Sequence, residues 1–242
     1  MNGGEEMKRL FAYGDIHGML GFREFVERCK RSNLTADDYV VILGDFGLVW
    51  LGQGIEVSFL DELDKVEWTT LWIDGNHENF DLLKKYHHYY WNGSKVQFIR
   101  PRVIHLCRGQ VYEIAGKKIF TFGGAQSYDR GQRVYGKSIW EDEIPSEIDF
   151  LEGKRNLSKH DYKVDYVFSH TCPRFLVPKL LPGGFEDWDL TTEYLEDFAE
   201  MMDFKGWWFG HWHRYDILLD ERGRKYSVLY NDLVEVTESY DE

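Results

Sequence analysis

An α/β fold is what this sequence predicts, and three observations predict it. Apolar strand-like runs alternate with helix-like stretches through the first third of the chain. Asp15, Asp45 and Asn76 each lie just past one of those runs, thirty and thirty-one residues apart. That interval suits one strand–helix–strand crossover, so all three should emerge on one edge of a parallel sheet. Finally, 43% hydrophobic residues in a chain of 242 allow a sizeable core.

The elements follow in order. "KRLFAYGD" reads as a strand, and "GFREFVERCKRS" as a helix with Phe22, Phe25, Val26 and Cys29 at helical spacing. "DYVVILGD" is a buried-type strand, "GIEVSFLDELDKV" a helix and "WTTLWIDGN" the next strand. The middle stretch "VIHLCRGQVYEIAGKKIFTFGGA" predicts antiparallel hairpins turning at Arg108-Gly109 and Gly116-Lys117. "PSEIDFLEGKRNLSKH" is part helix and part loop, and "VDYVFSHTCP" is a strand with His170 at its end. "TTEYLEDFAEMM" sets Tyr194, Leu195, Phe198, Met201 and Met202 on one core-facing helical stripe. "GWWFGHWH" is the last strand-to-polar junction, followed by a hairpin and an acidic tail. No linker or low-complexity stretch divides residues 1–242, so a single domain is expected.

Lys+Arg 29 against Asp+Glu 42 give a net charge of −13, which discourages adhesion to extended duplexes or anionic membranes. A short nucleotide or a nucleic-acid end in a local basic cleft stays open. Cys29, Cys107 and Cys172 form no CxxC pair and leave one over, which fits reduced thiols in a cytoplasmic protein. The start lacks an apolar h-region and no run approaches a membrane span, so a soluble protein is expected.

Five strand ends carry the same cargo: "GDIHG" (14–18), "GDFG" (44–47), "GNHE" (75–78), "SHTCP" (169–173) and "GHWH" (210–213). Asp, Asn and His bind divalent ions through oxygen and imidazole nitrogen. In D-x-H and H-x-H, two side chains one residue apart point the same way along extended backbone. Gly14, Gly44, Gly75 and Gly210 precede these residues, where the backbone must turn beside a crowded cluster. A single block is more often a turn or a satisfied histidine. Five in this order indicate a metal site.

The order D-x-H, G-D, G-N-H-D/E, H, G-H-x-H resembles that of the calcineurin-like metallophosphoesterases, here of a bacterial type, and runs from Asp15 to His213. The resemblance implies a four-layer α/β/β/α sandwich with a dinuclear metal centre at its edge. Carried over, Asp15, His17 and His213 hold one metal, Asp45 bridges, and Asn76, His170 and His211 complete the second. Manganese is the first choice, with iron, zinc, nickel or magnesium as alternatives. The implied reaction is hydrolysis of a phosphate mono- or diester by a metal-bridged hydroxide, with catalytic His77 facing the leaving-group oxygen. Glu78 orients His77 or a nearby group, or is structural.

The second block reads "GDFGLVWLGQG" and lacks the arginine of the phosphoprotein phosphatases, which disfavours a protein Ser/Thr phosphatase. Arg130 and Arg133, in the "GGAQSYDRGQRVYGKSIWEDEIPS" segment (123–146), are the candidate substrate-binding cations. The competing reading is a solvated hairpin loop whose arginines pair with Asp129, Glu141 or Glu143. Among function classes, a nuclease or cyclic-nucleotide phosphodiesterase is the alternative to a monoesterase, with Trp50, Trp140 and Trp212 as stacking candidates. A non-catalytic scaffold is disfavoured, because such relatives lose ligands that this chain keeps.

Overall fold

The computed structural model describes residues 8–181 and 189–237. Strands β1 (Leu10–Tyr13), β2 (Tyr39–Ile42) and β3 (Thr69–Trp72) run parallel, linked by helices α1 (Phe22–Arg31) and α2 (Ile55–Leu63). Their carboxyl ends therefore share one sheet edge, as the thirty-residue interval predicts. After the short α3 (Phe80–Leu83) comes a hairpin, β4 (His88–Trp91) and β5 (Ser94–Arg100), which the sequence reading omits. Its Asn92-Gly93 turn, with positive φ at both residues, is a strong hairpin signal. The exposed "HYYW" of β4 hides it, because an edge strand needs no apolar face.

One hairpin expectation is corrected. β6 (Val103–Leu106) pairs parallel with β3 and antiparallel with β5, whereas β7 (Gln110–Ile114) pairs with β8 (Lys117–Phe122) in a second sheet. The Arg108-Gly109 turn is thus the crossing between sheets, while Gly116-Lys117 closes a true hairpin. Gly109 sits at φ +66°, and a Cβ there would meet Gly153 N at 2.8 Å. Gly153 lies in α4 (Glu147–Ser158), which opens on a Ser146–Asp149 capping box and runs into a turn, as the part-helix, part-loop reading expects.

The second sheet continues through β9 (Tyr166–Ser169) and β10 (Gly206–Phe209), with α5 (Val177–Leu180) and α6 (Leu190–Met201) between them. β11 (Asp216–Leu219) and β12 (Lys225–Val228) form the expected hairpin, but the chain then returns to the first sheet as β13 (Leu233–Glu235), antiparallel to β1. The sheets read β13-β1-β2-β3-β6-β5-β4 and β11-β12-β10-β9-β8-β7.

Strand alternation separates three apolar layers. Phe11, Tyr13, Val40 and Ile42 pack with Phe22, Phe25, Val26 and Cys29 of α1. Leu10, Ala12, Val41 and Leu71 face Tyr166, Phe168 and Trp208 of the other sheet. Trp207, Phe209, Phe120 and Phe122 pack with Leu157 of α4 and with Leu195 and Phe198 of α6. Helices, two sheets and helices make the four layers of the expected sandwich. No helix among the described residues is long and apolar enough to cross a membrane.

Candidate metal centre

The loops that leave these strands are stitched in pairs by backbone hydrogen bonds. His17 N–H donates to Asp45 O (2.8 Å), Gly124 N–H to Asp74 O (2.8 Å) and Gly210 N–H to His170 O (2.9 Å). Close approach of backbone to side chain demands glycine at two of them. A Cβ on Gly75 would lie 2.2 Å from Asp45 Oδ1, and one on Gly210 would lie 2.1 Å from Asp15 Oδ1. The crowding expected from the sequence is present at both. Non-glycine residues are bent as well: His17, Asp45, His211 and His213 all hold positive φ, between +47° and +67°.

Asp15, His17, Asp45 and His213 bring one donor atom each within 4.8 Å of one another. His17 Nε2 faces His213 Nε2 at 2.9 Å, and Asp15 Oδ2 lies 3.3 Å from His213 Nε2. Asp45 Oδ2 is 3.6 Å from His17 Nδ1, and its Oδ1 is 3.3 Å from His170 Nε2, so this carboxylate looks both ways. The hydrogen bond to Asp15 raises the His213 imidazole above its ordinary value. Burial alone would push Asp45 up, but the imidazoles of His170, His77 and His17 hold it below the usual carboxylate range.

The second group is deeper. His170 Nδ1 donates to Leu43 O (2.7 Å), which fixes the ring and turns Nε2 toward Asn76 Oδ1 at 3.0 Å. Asn76 Nδ2 donates to Ser127 Oγ (3.0 Å), so the Asn76 oxygen is the atom turned inward. Asp45 Oδ1, Asn76 Oδ1 and His170 Nε2 thus converge on one another. His211 Nε2 is buried with no hydrogen-bond partner among the described residues. Such convergence and such an orphan are costly unless a cation takes them up. The donor set fits divalent ions that accept oxygen and imidazole ligands.

A family model for calcineurin-like phosphoesterases matches residues 8–215. The chain belongs to that family. Two solved structures are similar across almost the whole chain. TT1561 of Thermus thermophilus is 11% identical with a TM-score of 0.51, covering 96% of this chain and 99% of its own. The phosphopantetheinyl hydrolase PptH of Mycobacterium tuberculosis is 14% identical with a TM-score of 0.49, covering 98% of each chain. No curated protein sequence matches significantly. Calcineurin-like phosphoesterases act on phosphate esters with a dinuclear divalent metal centre, and the donor cluster is in keeping with that.

In this calcineurin-like phosphoesterase four of the seven sequence-predicted ligands, Asp15, His17, Asp45 and His213, form one cluster. His170 joins it at Asp45 and Asn76 at His170, the His211 ring stands 5.0 Å from that of His170, and His77 lies beside His17. His77 N–H donates to Asp45 Oδ1 (2.8 Å), and its ring stands edge-on to His17 at 5.3 Å. Burial first, then the nearby Arg133 and His17, hold His77 below its ordinary value against the pull of Asp45. Glu78 does not bond His77. It accepts the N–H groups of Phe46 (2.7 Å) and Gly47 (3.1 Å) and so pins the loop that carries Asp45.

The two arginines part company. Arg133 Nη2 lies 2.6 Å from His77 Nε2, its guanidinium held by Asp129 (2.6 Å) and Ser138 O (3.2 Å). Arg130 turns instead to the Tyr135 hydroxyl (3.2 Å) and the Glu143 carboxylate (3.5 Å). Segment 123–146 is not a hairpin but an irregular loop with two 3₁₀ turns, Arg130–Gln132 and Glu141–Glu143. Its buried Glu143 accepts the Ser127 hydroxyl (2.8 Å) and backbone N–H (3.1 Å), completing a relay to Asn76 that sequence reasoning missed. Missed too is Asp74, buried beneath Gly123 and paired with Arg108 (2.5 Å), which ties the β3 loop to Asp142 O (2.7 Å). Of the stacking candidates, Trp140 is buried and donates to Asp81 (2.8 Å), Trp212 packs beside Tyr128, and Trp50 lines a cavity.

Proposed function

We propose that this protein is a dinuclear-metal phosphoesterase of one domain, working on phosphate mono- or diesters in the cytoplasm. One ion would be held by Asp15, His17 and His213 and the other by Asn76, His170 and His211, with Asp45 serving both. Manganese is the expected metal. The observation that carries the reading is the convergence of Asp45 Oδ1, Asn76 Oδ1 and His170 Nε2 beside the buried His211 Nε2, which has no hydrogen-bond partner among the described residues. When bound, the two cations supply positive charge for the phosphate and lower the pKa of water toward neutrality.

The chain's own residues do the rest. His77 faces the leaving-group oxygen and donates a hydrogen bond to it, with its ring aimed by the backbone bond to Asp45. Arg133 offers Nη2 to a non-bridging phosphate oxygen, exchanging His77 for the ester when substrate enters. Arg130 keeps the loop in place through Glu143 and Tyr135, so Arg133 is the substrate-binding cation of the two. Metal analysis of the purified protein, with turnover of p-nitrophenyl phosphate, bis-p-nitrophenyl phosphate and 2′,3′-cyclic nucleotides before and after chelation, tests the reading. Metal-dependent hydrolysis of at least one is expected. Failure of the manganese-loaded protein on all of them would favour a scaffold.

A further inference from the structure

A cavity of about 350 Å³ opens beside the metal centre, with His17 and His77 on its inner wall. Its outer wall is apolar: Met19, Leu20, Trp50 and Leu51. Leu20 is 90% exposed and Leu51 57%, large apolar side chains left at water around a concave surface. The wall is nonetheless firm. Buried Glu56 accepts the backbone N–H groups of Trp50, Leu51 (2.7 Å) and Gly52 (2.5 Å), while Asn79 donates to Trp50 O (2.7 Å). The Trp50 ring stands edge-on against Trp140 at 5.4 Å. The shape therefore exists before anything binds.

The charge pattern restricts the occupant. Among the described residues, no lysine or arginine lines the cavity, and its one carboxylate, Glu56, is engaged by three backbone donors. A second phosphate would find no partner there. Arg133 touches His77 but is not among the lining residues, so cationic and apolar surfaces meet at that histidine.

We propose that this cavity holds the leaving-group side of the substrate and selects phosphate esters whose alcohol carries an apolar body of one or two rings. The inference rests on the phosphoesterase reading of the metal centre, and the test separates the two. Methylphosphonate, phenylphosphonate and 2-naphthylphosphonate, which cannot be hydrolysed at phosphorus–carbon, are titrated calorimetrically into manganese-loaded and metal-stripped protein. Burial of each ring should tighten binding by roughly fivefold to tenfold. Leu51→Gln and Leu20→Gln should each lower the naphthyl-to-methyl affinity ratio severalfold, while Leu219→Gln on the exposed face of β11 leaves it unchanged. Equal affinities for the three compounds, or a ratio that ignores Leu51→Gln, overturn the cavity assignment. If methylphosphonate binds only with manganese in that case, the metal-centre reading survives alone. If no phosphonate binds even with manganese, the metal-centre reading fails and the cavity assignment falls with it.

Discussion

Asn76 and His170 lie under the sheet edge with almost no exposure, whereas the His17 and His213 side chains remain 20% and 49% exposed. The buried half is also the more heavily braced. His170 is fixed by Leu43 O, and Asn76 by Ser127 and, through it, Glu143. On the open side His213 has the Asp15 carboxylate and a stacked Tyr230 ring at 4.5 Å. Braced, water-excluded donors should hold an ion tightly, and open ones should exchange it. On the proposed ligand assignment, the difference predicts a division of labour, with the deep ion held more permanently and the outer one meeting solvent and substrate.

The largest test removes the residue common to both halves. Asp45→Asn should lose both ions and reduce turnover by more than the roughly 10²–10³ that one electrostatic donor contributes. Full two-metal occupancy by elemental analysis, with normal turnover, would sink the bridging assignment. Next comes His77, which belongs to neither half. His77→Ala should keep its metal and lose roughly 10²–10⁴ in turnover, less on nitrophenyl than on alkyl esters. Should it empty either position, His77 is a ligand or a support, and the comparison must be redrawn.

Ser127→Ala sharpens the contrast more gently. Cutting the link between Glu143 and Asn76 should weaken the deep ion by roughly 10–100-fold and leave the outer one alone. Competition with a chelator followed by manganese spin resonance would read the two affinities. Equal weakening of both would mean that the halves are not separately braced. The smallest effect lies outside the centre and serves as its control. Asp38 is buried; desolvation works to raise its pKa, but Arg9 and Thr35 together bring it below the ordinary carboxylate value. A depressed folded-state pKa stabilises above the unfolded value, about 4, and that stability drains as pH falls below it. Thermal melts of Asp38→Asn should therefore be lower than wild type at pH 7, by about 1–3 kcal/mol in stability, with the gap narrowing toward pH 3. Metal content should not change. A gap that widens on acidification refutes the assignment.

Much of this was legible in the chain because local signals and tertiary placement agree. Each apolar run that ends in Gly-Asp or Gly-Asn is a parallel strand, so equal spacing translated directly into a shared edge. Sheet membership is another matter. Arg108-Gly109 has hairpin chemistry, yet which sheet β7 joins depends on α4 packing against that turn, a contact forty-odd residues away in the chain. β13 escaped for a similar reason, since its partner β1 lies at the other end of the sequence. The relay from Asn76 to Ser127 spans fifty-one residues, and nothing local in "GGAQS" says that its serine faces an asparagine. What the segment's cations do was just as hidden, since Arg130 and Arg133 differ by three positions and face different partners.

The left-handed backbone at His17, Asp45, His211 and His213 carries a warning for anyone engineering this protein. A side chain at positive φ costs about 1–2 kcal/mol relative to the right-handed form, a penalty that glycine escapes. A heat-challenge selection run on metal-free material would therefore enrich variants such as His213→Gly. Each enriched clone would refold better and bind worse. Thermal tolerance and ion uptake would rank the same library in opposite orders, and only a selection run with the ion present could align them.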